Sequence, residues 1–395
     1  MKTIFKSFKF RIEPSIEQEE LLSKHFGACR FIFNYYLNSR KEIYLEEKKT
    51  LNYYDNANDL TQLKKDEKFN WLKEINSQSL QSSLRNLDTA YNKFFRKQTQ
   101  FPRFKSKYDR QSFTIPQFVT IEDGKLWIPK FKKGIKIILH EEIKGKICFA
   151  TISKSTTGKY FVSVTCEVEF QPFEKTNSNV GIDTGIKNLA ILSDGKVYEN
   201  IKTLKINLKK LKYEQRQLSK KVNGSKSRLK QKTKLAKVHE KVTNIRKNYL
   251  HKVSTEIIKN HDVICIEDLS IKNMMKNHKL AQAFSDVSLG TFYAMLEYKA
   301  DWNDKIIVKI DRFFPSSKTC NVCNYIKQDL TLNDREWVCP ICNTTHDRDF
   351  NASINILKQG LKILSCGSGI ESQDKQKQVE ALLLDESMKP ETHLV

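Results

Sequence analysis

The chain has 395 residues, enough for two or three packed units, and 39% of them are hydrophobic, which excludes a disordered basic tail. Its 69 Lys and Arg against 46 Asp and Glu leave a formal net charge of +23, which predicts a polyanionic partner. No window approaches the roughly 20 apolar residues of a membrane span, and the alternating start MKTIFKSFKFRIEP is not the core of a signal peptide. We therefore expect a soluble intracellular protein with no membrane partner.

The first hundred residues predict one strand followed by helices. Residues 8–12 alternate apolar and charged side chains, as a half-buried strand does. Ser15 and Gln18 have the spacing of a capping box, so a helix should begin at about Ile16. From Ser77 to Lys97 the apolar residues recur every three or four positions, which predicts an amphipathic helix.

Short alternating segments after Pro102 predict β-structure. With the first strand they would form a small antiparallel barrel or sheet, covering residues 1–14 and 102–174, that carries the helices of residues 15–101 as an insertion. The predicted strands are Phe113–Ile121, Lys125–Ile128, Lys136–Leu139, Ile147–Ser153 and Tyr160–Phe170.

A polar segment after Pro172 predicts a domain boundary near residue 175. The second domain should contain residues 175–318 and 344–365, and the polar residues 366–395 should form a poorly ordered tail. Its predicted strands are Val180–Asp183, Leu189–Ser193, Lys196–Glu199, Val263–Glu267 and Ile306–Ile310, and Leu289–Trp302 is predicted to be a helix.

Residues 202–260 predict a pair of antiparallel helices that turn at Asn223-Gly224-Ser225. This stretch has nineteen Lys and Arg against three Glu, so it carries sixteen of the net positive charges. Such a pair can line a channel for phosphate backbones, or it can be a solvated helical hairpin.

Four cysteines form the strongest single motif. Cys320-x2-Cys323 and Cys339-x2-Cys342 are two knuckles, separated by fifteen residues, that can hold one tetrahedral zinc ion. Because four thiolates complete the coordination, this zinc would be structural, and His346 is not expected to be a ligand. The other five cysteines are scattered, which favours metal binding in a reducing compartment over disulfides.

Three acidic residues form the second candidate site. Asp183 and Glu267 end apolar strands, and Asp349 precedes a predicted helix. Each acid alone is more often a turn or cap residue. The order of three strands, helices and a fourth strand is, however, that of a ribonuclease-H-like domain, in which such acids converge. Converging carboxylates could hold two Mg²⁺ ions for phosphodiester hydrolysis.

The motifs in this order resemble those of TnpB proteins, which are transposon-encoded, RNA-guided DNA endonucleases related to type V CRISPR effectors. The resemblance covers nearly all of the chain to about residue 370. It is carried by Val-Gly-Ile-Asp183-Thr-Gly-Ile-Lys-Asn-Leu-Ala, Ile-Cys-Ile-Glu267-Asp-Leu, the paired cysteine knuckles, Asp347-Arg348-Asp349-Phe-Asn351-Ala-Ser-Ile-Asn, Pro14-Ser-Ile-Glu-Gln18, Phe26-Gly-Ala-Cys-Arg30-Phe-Ile-Phe-Asn34, Phe101-Pro-Arg-Phe-Lys105-Ser-Lys and Phe314-Pro-Ser-Ser317-Lys-Thr-Cys320.

The resemblance implies an α+β multidomain protein. It would have an amino-terminal, wedge-like β-barrel with an inserted helical recognition bundle, then a RuvC-like, ribonuclease-H-like α/β nuclease domain with a four-cysteine zinc ribbon at residues 319–343. It also implies a guide RNA from the transposon end, a target DNA beside a short flanking motif, and action in the cytoplasm of a bacterial or archaeal cell. We expect the chain to act as a monomer.

One of the three candidate acids has an acidic neighbour in the sequence that could have the catalytic role instead. We choose Asp349 because its Asp-x-Asn-Ala spacing matches the third motif of the family, whereas Asp347 could cap the helix. Two other functions remain open: an RNA-guided DNA-binding repressor that does not cleave, and a transposase that joins DNA strands.

Overall fold

The computed structural model describes residues 1–274, 276, 281–331 and 333–365. The described chain divides into two units, one of residues 3–169 and the other of residues 1–2 and 170–365. No helix in the described part of the chain is both long enough and apolar enough to cross a membrane. The predicted tail at residues 366–395 lies outside the described residues.

The strands of the first unit form one seven-stranded sheet in the order β2-β6-β7-β1-β5-β4-β3. Successive side chains of a strand point to opposite faces, and along β1 the residues Phe8, Phe10 and Ile12 lie on the buried face. Closure of this sheet into a barrel stays a prediction. The strands are β1 (Lys2–Glu13), β2 (Gln111–Ile115), β3 (Thr120–Glu122), β4 (Lys125–Trp127), β5 (Ile135–Ile138), β6 (Lys146–Lys154) and β7 (Tyr160–Phe170).

The single strand predicted at residues 113–121 is wrong, because the structure divides it into β2 and β3. Pro116 has no N–H for a strand ladder, and Phe118 has a φ of 61°, in the left-handed region that a strand does not use. The chain therefore bends between the two strands, and they join opposite ends of the sheet.

The inserted segment is helical, with α1 (Ile16–Glu47), α2 (Tyr53–Leu63), a 3₁₀ helix (Glu67–Glu74) and α3 (Ser77–Phe95). The predicted start of α1 is confirmed, since the Gln18 N–H donates to Ser15 Oγ and the Ser15 N–H donates to Gln18 Oε1. This reciprocal capping satisfies backbone donors that the first helical turn leaves free.

The second unit contains a five-stranded sheet in the order β10-β9-β8-β11-β12. Its first three strands form an antiparallel meander, whereas β11 pairs in parallel with both β8 and β12. The strands are β8 (Asn179–Asp183), β9 (Asn188–Leu192), β10 (Val197–Glu199), β11 (Val263–Glu267) and β12 (Ile306–Ile310). This order brings the ends of β8 and β11 side by side.

Helices cover both faces of this sheet. On one face, apolar residues of α5 (Lys226–Asn260) and α8 (Leu289–Trp302) share a core with the sheet residues Val180, Ile182 and Ile264. On the other face, Ile356 of α9 (Arg348–Ser365) packs with Cys265 and Val308. The remaining helices of this unit are α4 (Thr203–Ser219), α6 (Ile271–Met274) and α7 (Ala281–Val287).

Gly181 sets the close contact between β8 and α9. A Cβ atom at this position would lie 2.1 Å from the Ser353 carbonyl oxygen and 2.5 Å from the Leu357 backbone nitrogen. Both are helix backbone atoms, which cannot move aside without shifting α9. Only glycine therefore permits this approach of helix to strand.

We expect Gly181→Ala to lower the free energy of unfolding by about 2 kcal/mol, because the added methyl group overpacks the contact between β8 and α9. Thermal and urea unfolding followed by circular dichroism measure this loss. Gly27→Ala is the matched control, since a Cβ there meets no atom within 4 Å and lies within α1. Equal stability of Gly181→Ala and the wild type would contradict the proposed contact.

Candidate active site

Asp183 and Glu267 end neighbouring parallel strands. In the register of β8 and β11, Ile182 lies opposite Ile266, so the next residue of each strand is an acid at the same edge of the sheet. The apolar residues before them are buried in the core, whereas both acids are only partly buried. The two strands therefore present two carboxylates to one place.

Asp349 lies in the first turn of α9, and Asp347 immediately precedes that helix. The exposed Asp347 acts as the N-cap, because its Oδ1 accepts the Phe350 N–H at 2.8 Å. The helix that carries Asp349 packs closely on β8, the strand that ends in Asp183, and the charge of Asp349 contributes to the raised pKa of Asp183. The structure thus gives the two acids different surroundings.

Burial and like charges raise the pKa of Asp183 well above its usual range. Burial is the largest cause, followed by the negative charges of Glu267 and Asp349, while Arg348 opposes them. Each added negative charge makes it harder to ionise the next carboxyl group. A divalent cation would remove this repulsion, and carboxylate oxygens are its preferred ligands. The carboxylate oxygens of the three acids are therefore ligands of the kind that Mg²⁺ prefers.

Two arginines contact the third acid. Arg348 Nη2 lies 2.9 Å from Asp349 Oδ1, and Arg335 Nη1 lies 3.1 Å from Asp349 Oδ2. Both oxygens of this carboxylate therefore have a cationic partner. The charges of Glu267 and Asp349 act on Asp183, but among the described residues the only group arranged as a metal site is a set of cysteines.

Glu267 has a different partner. Ser316 Oγ donates to Glu267 Oε1 at 2.7 Å, and this hydrogen bond favours the ionised carboxylate. Burial has the larger, opposite effect and raises the pKa of Glu267. Nearby, the Tyr293 hydroxyl lies 2.7 Å from Thr184 Oγ1, next to Asp183.

The four predicted cysteines form the cysteine cluster, in which the Sγ atoms of Cys320, Cys323, Cys339 and Cys342 lie within 4.8 Å of one another. The cluster is compatible with a structural zinc, since four thiolates can complete a tetrahedral site. Hydrogen bonds from Thr344 lower the pKa of Cys342. A short hairpin of β13 (Glu336–Val338) and β14 (Thr345–Asp347) supports it.

His346 lies beside the cysteine cluster and outside its ligand set. Its Nε2 is 3.1 Å from Cys320 Sγ, and its ring packs on Trp337 with a centroid distance of 4.7 Å. A ring N–H can stabilise a thiolate without binding the metal. Sequence reasoning set this histidine aside as a ligand and did not foresee its contact with the sulfur.

The predicted helical pair is present as α4 and α5, joined by a turn at residues 220–225. Between them lies a groove of about 340 Å³ that we call the lysine groove. Its Lys210, Lys234, Lys237 and Lys241 are exposed, and none forms an ion pair with any described residue. Glu214, also at the groove, is held by the Gln231 amide. The lysine charges therefore lie open to an anionic partner.

Comparison with known proteins places the chain in a family. The family model described as a probable transposase matches residues 161–278, the Cas12f1-like TNB domain matches residues 290–356, and a helix-turn-helix domain matches residues 1–49. A protein of Streptomyces pristinaespiralis named as an RNA-guided DNA endonuclease is 37% identical over an alignment of 383 residues that covers 94% of each chain.

A second relative, InsQ of Escherichia coli strain K12, has the same kind of name and is 34% identical over 94% of this chain and 96% of its own. A cryo-EM structure of a Cas12f1–sgRNA–target DNA complex matches 90% of this chain and 98% of its protein chain, with a TM-score of 0.53 and 14% identity. The fold is thus that of a mixed α/β multidomain protein like Cas12f1, with a four-cysteine cluster. The chain belongs to the TnpB family.

We expect the purified chain to contain one zinc ion, and Cys339→Ser to lose it, because three thiolates bind zinc more weakly than four. Inductively coupled plasma mass spectrometry measures the zinc-to-protein ratio. Cys148→Ser, in β6 of the other unit, is the control and should keep the metal. Equal zinc contents in the two variants would contradict the assignment.

Proposed function

We propose that this chain is an RNA-guided DNA endonuclease that cleaves through Asp183, Glu267 and Asp349. The observation that carries the proposal is the register of β8 and β11, in which Asp183 and Glu267 follow paired residues at one sheet edge. The close contact of α9 with Gly181 of β8 supports including Asp349, which lies in the first turn of that helix. Relatives that match nearly the full length are named as RNA-guided DNA endonucleases. The sheet order supports a RuvC-like, ribonuclease-H-like nuclease domain.

The three carboxylates would hold two Mg²⁺ ions. When bound, such ions activate water and stabilise a leaving 3′ oxygen in phosphodiester hydrolysis. Asp183 and Glu267 contribute oxygens from rigid strand ends, and α9 contributes Asp349 from its first turn. For Asp349 to bind a cation, its carboxylate must exchange at least one of its arginine partners.

The partners proposed for this chain are a guide RNA from the transposon end and a target DNA beside a short flanking motif. The Cas12f1 structure of similar fold contains an sgRNA and target DNA. The lysine groove of the present chain offers four lysines that form no ion pair with the described residues, and their positive charges fit a phosphate backbone. Asp347, in contrast, has a structural function as the cap of α9.

We expect the chain, purified with its own RNA, to cleave matched DNA in Mg²⁺ and not in EDTA. Asp183→Ala, Glu267→Gln and Asp349→Ala should each lower the cleavage rate by about a thousandfold or more, because metal binding supplies several kcal/mol of transition-state stabilisation. A cleavage assay on end-labelled DNA measures the requirement for Mg²⁺. Sequencing of the copurified RNA identifies the guide and the DNA that matches it.

Asp347→Ala is the control for Asp349→Ala. It should cleave DNA while losing about 1 kcal/mol of stability, since it removes only a helix cap. DNA binding without cleavage by the wild type would favour the repressor, and joined strands would favour a transposase. Loss of cleavage in Asp347→Ala alone would show that the third acid is misassigned.

We expect charge reversal in the lysine groove to weaken nucleic-acid binding and its dependence on salt. Lys→Glu at positions 210, 234, 237 and 241 removes up to four phosphate contacts, so the slope of log K against log salt should fall in magnitude by about 3. Fluorescence anisotropy at several salt concentrations, with guide RNA and with target DNA, gives the slope.

Lys→Arg at the same four positions is the matched control, because it keeps the charge and should keep the slope. A quadruple Glu variant with wild-type affinity and slope for both nucleic acids would leave the hairpin as a solvated surface.

A further inference from the structure

Ser316 lies in the segment that joins β12 to the cysteine cluster, four residues before Cys320. It is only 5% exposed, although serine has a hydroxyl group that must be hydrogen-bonded when it is buried. Its Oγ donates to Glu267 Oε1 at 2.7 Å. The hydroxyl therefore contacts one of the three proposed metal-binding carboxylates directly.

The backbone of this segment is held by α9. Asn355, which is 3% exposed, donates through Nδ2 to the carbonyl oxygens of Ser316 at 2.9 Å and Thr319 at 2.6 Å. One turn earlier, Asn351 donates to the Thr319 carbonyl at 2.7 Å and accepts the Asn321 N–H at 3.0 Å. Two asparagines of one helix thus fix residues 316–321 at both ends.

The same helix carries Asp349 in its first turn. A continuous set of contacts therefore runs from the third acid along α9 to Asn355, through the backbone of Ser316, and from its hydroxyl to Glu267. The position of Glu267 depends in this way on a segment that is far from it in sequence and adjacent to the cysteine cluster.

A carboxylate at the end of a strand can still rotate about its side-chain bonds, and a metal site needs its oxygens in a defined orientation. A hydroxyl that donates to Oε1 restricts this rotation and leaves Oε2 for a cation. Because the hydroxyl is neutral, it orients the carboxylate without competing for its charge. Arginine, which Asp349 contacts, would compete.

We propose that Ser316 is a positioning residue that orients Glu267 for binding of a divalent cation, with Asn355 holding Ser316 in place. This rests on the proposed nuclease function of the three acids. It adds to that function a residue that does not itself bind the metal, and it explains why a serine is buried at the base of the cysteine cluster.

The test uses Ser316→Ala and Ser316→Thr in the full chain with zinc retained. Binding of Mn²⁺ is measured by the electron paramagnetic resonance signal of the free ion, with Asp183→Ala defining the binding at other sites. Ser316→Ala should bind Mn²⁺ about tenfold more weakly and need about tenfold more Mg²⁺ for half-maximal cleavage, as is typical for loss of a group that orients a metal ligand. Ser316→Thr keeps the hydroxyl and should restore both values.

Ser353→Ala is the matched control. It also deletes a buried serine hydroxyl, but that hydroxyl donates to the Phe350 carbonyl within α9 and not to an acid. Its Mn²⁺ affinity should equal that of the wild type. Wild-type Mn²⁺ affinity in Ser316→Ala, or the same tenfold loss in Ser353→Ala, would overturn the role of Ser316. Mg²⁺-dependent cleavage by the wild type would still support the nuclease proposal in that case. A wild-type chain that cleaves equally in EDTA would instead overturn the nuclease proposal and this inference with it.

Discussion

The constraint on which the second unit depends is that Asp183 and Glu267 lie side by side and partly buried at one edge of its sheet. Burial raises the pKa of Asp183, and the negative charges of Glu267 and Asp349 add to that effect, so the ionised form of Asp183 costs the folded chain free energy. A fold keeps such an arrangement only if the surrounding contacts are strong. The parallel register of β8 and β11 and the close approach of α9 at Gly181 supply those contacts.

The carboxylates of Asp349 and Glu267 differ in the charge of the groups that contact them. Asp349 has Arg335 and Arg348 as partners, whereas the Glu267 carboxylate accepts a hydrogen bond from only one described residue, through the neutral Ser316 hydroxyl. Arg348 also lowers the pKa of Asp183, but less than burial and the two acids raise it. The described protein groups therefore compensate the site only in part. Under the proposed nuclease function, a bound divalent cation would supply the remaining positive charge.

Local patterns in the sequence predicted the features that depend on local chemistry. The capping box of Ser15 and Gln18 marks the start of α1, and the two cysteine knuckles converge as their spacing requires. The orientation of side chains was not predictable in the same way. Ser316 is 49 residues from Glu267 and 39 from Asn355, so no periodicity or spacing reveals that these three meet. Asn351 and Asn355 do stand four residues apart, which places them on one face of a helix, but the sequence does not show what that face contacts.

The cysteine cluster has a position that a purely local zinc site would not need. Cys320 follows Thr319, whose carbonyl oxygen accepts hydrogen bonds from both asparagines of α9, and Ser316 reaches Glu267 from the same segment. After the cluster, β14 leads directly into α9. The chain thus passes from the second acid's partner, through the cluster, to the third acid. A zinc ion bound at the cysteine cluster would tie together the two ends of this segment, which joins the hydrogen-bond partner of Glu267 to the helix that carries Asp349.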